Sequence, residues 1–547
     1  MYYDNILMTY TFAVVLFPFL ACLLIIFTMG RGKHAIAAIA VLSAMMSLFL
    51  SCIAAYIVFK NPNYSLLIDF PWITTQASSI HAVFIMNKLS SLFLVSVSLV
   101  FMLIHLYVFS IFNSAENEVL VKIFSLNSLA HSFLLITFIS ASLIQIYVFV
   151  SLSTVLMFLI RLIEKHNESS VNSAKIEFIA NISSDMFLFV GTLLLSNSFG
   201  TSMINQLYVY LSEAKFVNNP QALTAIVLIF LFVICKLGFY PFSMIFLNNS
   251  EDYPACFAGK IALYHTGIAF FVLILIKPFS SVMPSVCITI LMFWALLTAL
   301  ILVYQSIICK NILHIAGSIC FANNCLLSIV VLSDIGLSYL FLLSISILII
   351  TLLLIIIGYL MAITHTNLVW ETGNASKYMK LLLVACTVSV LFLAGLPPLS
   401  GFWRNAAIFA SGSNKFLLVI ASIVLFFMAF SAMRLYTVIF FGQKNSEFQA
   451  KTPSALISVI LAVLTLVVIV LGNLFFPFLS SSMGDYINMY THASISISNF
   501  RMAFILSILG VVSGFLCYFK LSEEKEDMVL SYLTFKNIFN KFKRSKK

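Results

Sequence analysis

Two adjacent prolines, Pro397 and Pro398, interrupt an apolar stretch in Leu393-Ala394-Gly395-Leu396-Pro397-Pro398-Leu399-Ser400-Gly401-Phe402-Trp403-Arg404-Asn405, and a cation follows them. Proline has no backbone donor and pushes the residue before it out of the α region, so a helix cannot run through this point unbroken. At membrane depth the freed carbonyls must be met by protein or water. Helices broken in this way belong to proteins that move ions.

That argument needs a membrane, and the composition supplies one. Of 547 residues, 62% are hydrophobic and 9% charged, with a mean hydropathy of +1.10. A soluble domain carries about 25% charged residues. A bilayer core takes about 20 apolar residues per crossing, and runs of that length follow one another between short polar loops. The chain is read as an all-α polytopic membrane protein with about 14–15 transmembrane helices. The spans are placed at roughly 8–28, 35–59, 89–113, 123–142, 143–162, 176–197, 222–240, 255–277, 285–304, 312–333, 337–363, 380–412 (broken), 416–441, 454–477 and 502–520. No β-barrel alternation and no Ser/Gly-rich linker appears. The first apolar run lacks a basic lead and a small-residue cleavage site, so it is taken as a span rather than a removed signal.

Arg31, Lys33, Arg161, Lys165, Lys175, Lys310, Lys377, Lys380, Lys444 and Lys451 fall in alternate loops, while the others carry isolated bases such as Lys60 and Lys215. By the positive-inside rule the N-terminus is outside and the C-terminus cytoplasmic. The tail, 521–547, ends in Lys541-Phe542-Lys543-Arg544-Ser545-Lys546-Lys547 and contributes much of the net charge of +10. Leu530, Leu533, Phe535, Ile538, Phe539 and Phe542 form one face of a basic amphipathic helix for anionic lipid or a partner subunit; the plainer alternative is a solvated basic tail. Nothing in the pattern suggests nucleic acid.

The ten cysteines include no CxxC, and Cys320 with Cys325 is the closest spacing, which fits apolar packing better than a metal site or disulfides. There is no Gly-rich phosphate loop, no HExxH and no paired haem histidines. No cofactor, no metal and no catalytic site of its own are expected, so any redox chemistry lies in other subunits.

What remains is ionisable residues within spans, each costly at the bilayer centre and therefore a functional hypothesis. Lys236 sits in Val233-Ile234-Cys235-Lys236-Leu237-Gly238-Phe239-Tyr240-Pro241, where Pro241 signals a second break. His265 lies five residues after Lys260, Asp185 lies in Asn181-Ile182-Ser183-Ser184-Asp185, and Arg404 with Asn405 follows the double proline. Lysine and histidine at membrane depth can exchange protons along water. Against that, Lys310 and His314 suit an interface where they snorkel, and His105 and His131 suit satisfied packing positions.

The stretch Ala394 to Phe402, with Phe430-Ser431-Ala432-Met433-Arg434-Leu435-Tyr436 and Phe440-Phe441-Gly442, resembles the antiporter-type family of the large membrane subunits of respiratory complex I (NADH-quinone oxidoreductase) and Mrp-type cation/proton antiporters. Weaker agreement runs through Phe70-Pro71-Trp72-Ile73, Asn87-Lys88-Leu89-Ser90, Ile104-His105-Leu106-Tyr107 and Asn181 to Asp185. The resemblance covers roughly 1–480 as an antiporter-like domain, followed by an additional span in 481–520 and the tail. It implies two inverted five-helix repeats, each with a broken helix, matching Pro241 and Pro397-Pro398. It places the family's seventh-helix lysine on Lys236 and its eighth-helix lysine or histidine on His265. The proton relay expected from residues and resemblance together is Lys236, His265, Lys260, Arg404 and Asn405.

The departures carry information too. The family's fifth-helix glutamate should lie near Val150-Ser151-Leu152, where no carboxylate stands, and its twelfth-helix lysine or glutamate falls on Asn405. The eleventh-helix relay falls in Leu340 to Ile357, where only Ser344, Ser346 and Thr351 are polar. Lys236 is therefore expected to lack its paired carboxylate, and Arg404, always protonated, to act as a fixed charge rather than a relay.

Three readings follow: a proton- or cation-translocating subunit of a multisubunit complex; a non-conducting structural or assembly subunit derived from one; and an unrelated membrane enzyme, which would need an acid/base pair that is not seen. Lys236, His265 and both breaks favour the first, and the missing carboxylate favours the second. A chain with no transport role has little reason to keep a buried lysine, so the first is preferred. The expected partners are other membrane subunits, lipid, and H⁺ or Na⁺. The expected site is the bacterial inner membrane, ahead of the mitochondrial one.

Overall fold

Long apolar helices account for nearly all of the described chain, because a helix satisfies its own backbone where no water can. The computed structural model describes residues 2–28, 32–60, 65–74, 79–112, 116–164, 168–211, 219–247, 259–333, 339–364, 366–372, 379–411, 415–442, 454–473 and 497–519. Arg31, Lys165, Lys215, Lys377, Lys444, Lys451 and the tail 521–547 lie outside these residues. Among them, 13 helices are long and apolar enough to cross a membrane, and Lys380–Ala394 and Ala455–Leu471 are shorter apolar helices.

Two compact units make up the chain, the first Met1–Met292 with Tyr339–Thr351, the second Phe293–Ser338 with Leu352–Lys547. The first unit carries α1 (Tyr2–Phe27), α2 (Lys33–Lys60), α3 (Lys88–Ile111), α4 (Asn117–Ile139), α5 (Leu143–Glu164), α6 (Glu168–Phe199), α7 (Ile204–Leu211), α8 (Pro220–Leu237) and α9 (Phe242–Leu247). Lys260–Gly267, wound as a π-helix, runs into the α-helix Ile268–Ile276, together α10. α11 (Ser285–Ile308) begins in this unit and belongs to the second from Phe293 on. The second unit holds α12 (Ile312–Leu332), the second half of α13 (Tyr339–Thr364) from Leu352, α14 (Lys380–Ala394), α15 (Gly401–Ala410), α16 (Lys415–Phe441), α17 (Ala455–Asn473) and α18 (Ile497–Tyr518).

Side-chain size sorts many helix faces. On α2 the buried side is Ala37, Ala40, Ser43, Ala44, Ser47, Ser51 and Ala54, while Leu42, Met45, Met46 and Phe49 are exposed. Small residues let helices approach closely, as Ser47 Oγ does in donating to Val14 O at 2.8 Å, and large apolar groups suit lipid. Asparagine caps start three helices: Asn87 on α3, Asn219 on α8 ahead of Pro220, and Asn311 on α12, each accepting from a backbone N–H of the first turn.

One β-hairpin stands beside the helices of this all-α fold. β1 (Leu66–Thr74) and β2 (Ser79–Met86) pair antiparallel, Leu66 opposite Met86 and Phe70 opposite Ala82, with an irregularity between Pro71 and Ile73. The hairpin is tied to the helices through Val83, whose N–H donates to Gln145 Oε1 at 2.9 Å and whose carbonyl accepts from Ala141 N at 2.9 Å. Pro71 within the run disguises the strand, since proline breaks a ladder.

Candidate functional site

The first break falls where the sequence places it. α8 ends at Gly238 in the left-handed conformation (φ 75°), Phe239 N bonds back to Ile234 O at 3.2 Å, and after Tyr240-Pro241 the chain resumes as α9. The second break repeats the device: α14 ends at Gly395 (φ 74°), Leu396 N bonds to Leu391 O at 2.9 Å, and after Pro397-Pro398 the chain resumes as α15. Both X-Pro bonds, Tyr240-Pro241 and Pro397-Pro398, are cis. The two sequences, Gly238-Phe239-Tyr240-Pro241-Phe242-Ser243 and Gly395-Leu396-Pro397-Pro398-Leu399-Ser400, share Gly-x-x-Pro-x-Ser. Glycine is needed because a left-handed residue ends each first half.

Lys236, fully buried, lies two residues before the first glycine. Its Nζ is 2.8 Å from Asp185 Oδ1 and donates to Asn181 Oδ1 at 3.2 Å and to the Tyr264 hydroxyl. Tyr264 OH also meets Thr154 Oγ1, which donates to Asp185 Oδ2 at 2.6 Å. Lys236, Tyr264, Thr154 and Asp185 thus close a ring of hydrogen bonds, with the Tyr264 ring centroid 4.2 Å from Nζ. The expectation that Lys236 lacks a carboxylate is overturned. Thr154 of α5, close to where the fifth-helix glutamate was sought, supplies a hydroxyl, and the acid comes from α6.

α6 carries a second acid on the same side. Glu177 receives Lys260 Nζ at 2.8 Å and pairs also with Arg161. Arg161, counted from sequence among loop bases, is buried at the end of α5. Glu177, Asn181, Ser184 and Asp185 are buried, whereas Ile176, Ile179, Met186, Val190 and Leu193 are exposed. The spacings of 4, 3 and 1 between the polar residues put them on one helical face, so α6 is polar inward and apolar outward. That periodicity was the signal for Glu177 and for the pairing role of Asp185, hidden because interior polar stripes are usually sought on the water side. The acids, eight residues apart, stand about 12 Å from each other along the axis.

His265 is buried on α10, and its Nδ1 donates to the carbonyl of Lys236 at 3.1 Å. The π-helical winding of this segment, with Thr266 Oγ1 bonded to Ile261 O at 2.8 Å, carries Lys260, Tyr264 and His265 on one stretch. Such irregular windings recur at functional sites. The structure therefore brings Lys236 and His265 together with Asp185, and sets Lys260 in a second group with Glu177 and Arg161 further along α6.

Arg404 and Asn405 belong to the second unit and to a different network. Arg404, fully buried, donates from NH1 to Asn323 of α12, from Nε to Asn405 Oδ1 at 3.0 Å and from NH2 to Leu393 O at 2.9 Å. Asn405 Nδ2 donates to Ala394 O at 3.4 Å and to Ser507 Oγ at 3.2 Å. These two side chains take the carbonyls freed by their own break, which is the requirement set by the double proline. No carboxylate among the described residues pairs with Arg404. Arg434 plays a similar part, donating to Ser306 O at 2.5 Å and Cys309 O at 3.1 Å at the end of α11.

A family model described as NADH:quinone oxidoreductase/Mrp antiporter, transmembrane, matches residues 140–431, more than half of the chain and both breaks within it. The chain belongs to this antiporter family. No curated protein sequence matches it. Among solved structures, this antiporter-family chain is similar to one in respiratory complex I from Thermus thermophilus with bound NADH, with a TM-score of 0.71 at 17% identity over 92% of this chain and 99% of that one. It is also similar to one in the membrane-bound sulfane sulfur reductase, an archaeal respiratory membrane complex, with a TM-score of 0.73 at 15% identity over 93% and 99%. At such identities these two likenesses carry the fold alone.

Proposed function

We propose that the chain is a proton-translocating subunit of a multisubunit respiratory or Mrp-type membrane complex, with Lys236 as the group that takes up and releases the proton. The observation that carries this is the buried Lys236–Asp185 pair beside a helix break, closed into a ring by Tyr264 and Thr154. Asp185 stabilises the ammonium form while the pair is closed. Parting the pair leaves an ammonium in a dry site, where desolvation drives its proton off. The Glu177 group on the same helix holds Lys260 and Arg161, a second ion-paired cluster about 12 Å away along the axis. His265 adds an imidazole on the Lys236 carbonyl, able to pass a proton between its two nitrogens. A proton suits this site better than Na⁺, because the oxygens that would hold a metal ion already hold Lys236. The charge pattern of the loops supports an N-terminus outside.

One observation favours the non-conducting reading. In the second unit Arg404 and Asn405 are committed to Leu393 O and Ala394 O, which leaves that break without a titrating group at its centre. Proton flux in vesicles holding the complex, native or with Lys236→Ala, separates the readings once equal assembly is shown. Loss of flux supports the relay; unchanged flux leaves the structural subunit.

A further inference from the structure

His105 and His131 were expected to be satisfied packing residues, and the structure corrects this. Both are fully buried, yet neither nitrogen of either ring has a hydrogen-bond partner among the described residues. Around them the same holds for Ser98 Oγ, Ser128 Oγ, Ser132 Oγ and Asn127 Nδ2. Phe101 of α3 stacks on His131 of α4 with centroids 4.4 Å apart, and His105, one turn after Phe101, faces Phe124 of α4 at 5.8 Å. The Phe101 ring contacts both imidazoles, its centroid 4.4 Å from that of His131 and 6.2 Å from that of His105. Ser98, Phe101 and His105 share one face of α3 by their spacing, and Asn127, Ser128, His131 and Ser132 one face of α4. The stacked pair shows that these faces meet.

We propose that this α3–α4 interface is a hydrated, proton-exchanging site whose ligand is water. An interface meant to be dry would use leucine or phenylalanine, since a buried polar atom without a partner is costly. Eight unmet atoms are what a small cluster of water satisfies, about three molecules at about three bonds each. A metal ion fits less well, because the described residues hold no group of three His, Cys, Asp or Glu able to bind one. Water between the rings lets each imidazole take a proton on one nitrogen and lose one from the other. The site lies outside residues 140–431 matched by the family model and uses none of the Lys236 network.

The test is electron cryomicroscopy of the complex containing the chain, at a resolution that shows ordered water, for the native protein and His131→Phe. Density within hydrogen-bonding reach of the His105 and His131 nitrogens, lost or depleted in the variant, is expected. An interface packed shut with no such density overturns the proposal. If His131→Phe does not assemble, Ser128→Ala with Ser132→Ala removes two ligands at small volume cost and should deplete the same density. Proton flux is read on the same preparations: a loss in the variant supports exchange, and unchanged flux with water present overturns it. A native complex that conducts nothing would sink the Lys236 reading and the exchange role together, while the map still decides hydration.

Discussion

The two helix breaks have the same backbone and opposite electrostatics. In each, the carbonyl two residues before the left-handed glycine is taken by a side chain: Lys236 O by His265, and Leu393 O by Arg404. The first break thus assigns its backbone task to an imidazole from another helix and keeps its own cation, Lys236, paired with an acid. The second spends its cation on the backbone. Two breaks of the same backbone shape can therefore hold a titratable side chain in one and a fixed charge in the other, and shape alone does not tell which is present.

Breaking the Lys236–Asp185 pair should have the largest effect. Asp185→Ala strands a buried ammonium and is expected to destabilise the protein by about 3–5 kcal/mol, read as a fall in thermal midpoint. The double variant Asp185→Asn/Lys236→Met should recover much of that stability while flux stays lost. Equal stability of the single and double variants would show that the pair is not coupled.

Next comes Gly395→Ala. A methyl group there collides with the Asn405 side chain on a left-handed backbone, so a cost of about 1–3 kcal/mol is expected. A neutral result would mean that Asn405 is not held against its break.

Arg404→Met sharpens the comparison directly. It leaves the Leu393 carbonyl unmet and should cost about 1–3 kcal/mol in stability, with flux per assembled complex little changed. A flux loss as deep as that of Lys236→Ala would return Arg404 to the relay. The smallest expected effect is that of Thr154→Val, which removes one hydrogen bond to Asp185 for about 1 kcal/mol. Its use is kinetic, because it opens the ring without touching either charge.

Much of this was legible in the sequence. The broken helices, the glycines before them, Lys236 and His265 announce themselves as interruptions of apolar runs. The β-hairpin was not, since Pro71 spoils its alternation. Nor was the pairing of Lys236 with Asp185, because a carboxylate was sought at the fifth-helix position and the acid sits on the neighbouring helix, a substitution in space rather than along the chain. Glu177 shares the inward stripe of α6 and was hidden further because it lies at the margin of an apolar run two residues from Lys175, where a charge reads as loop. The unmet atoms around His105 and His131 follow from how two faces meet, which no single-helix pattern states.

The inward polar stripe of α6 also bears on biogenesis. Insertion into a bilayer costs an isolated acid at a helix centre about 2.5–3.5 kcal/mol, and α6 brings Glu177 and Asp185 together. Arg161 is synthesised before α6 and can neutralise Glu177 as soon as that helix emerges, but Lys236 comes later, on α8. Until α8 arrives, Asp185 has no cation, so α5, α6 and α8 are best inserted as one package rather than one by one, and a nascent chain cut between α6 and α8 should leave α6 poorly anchored.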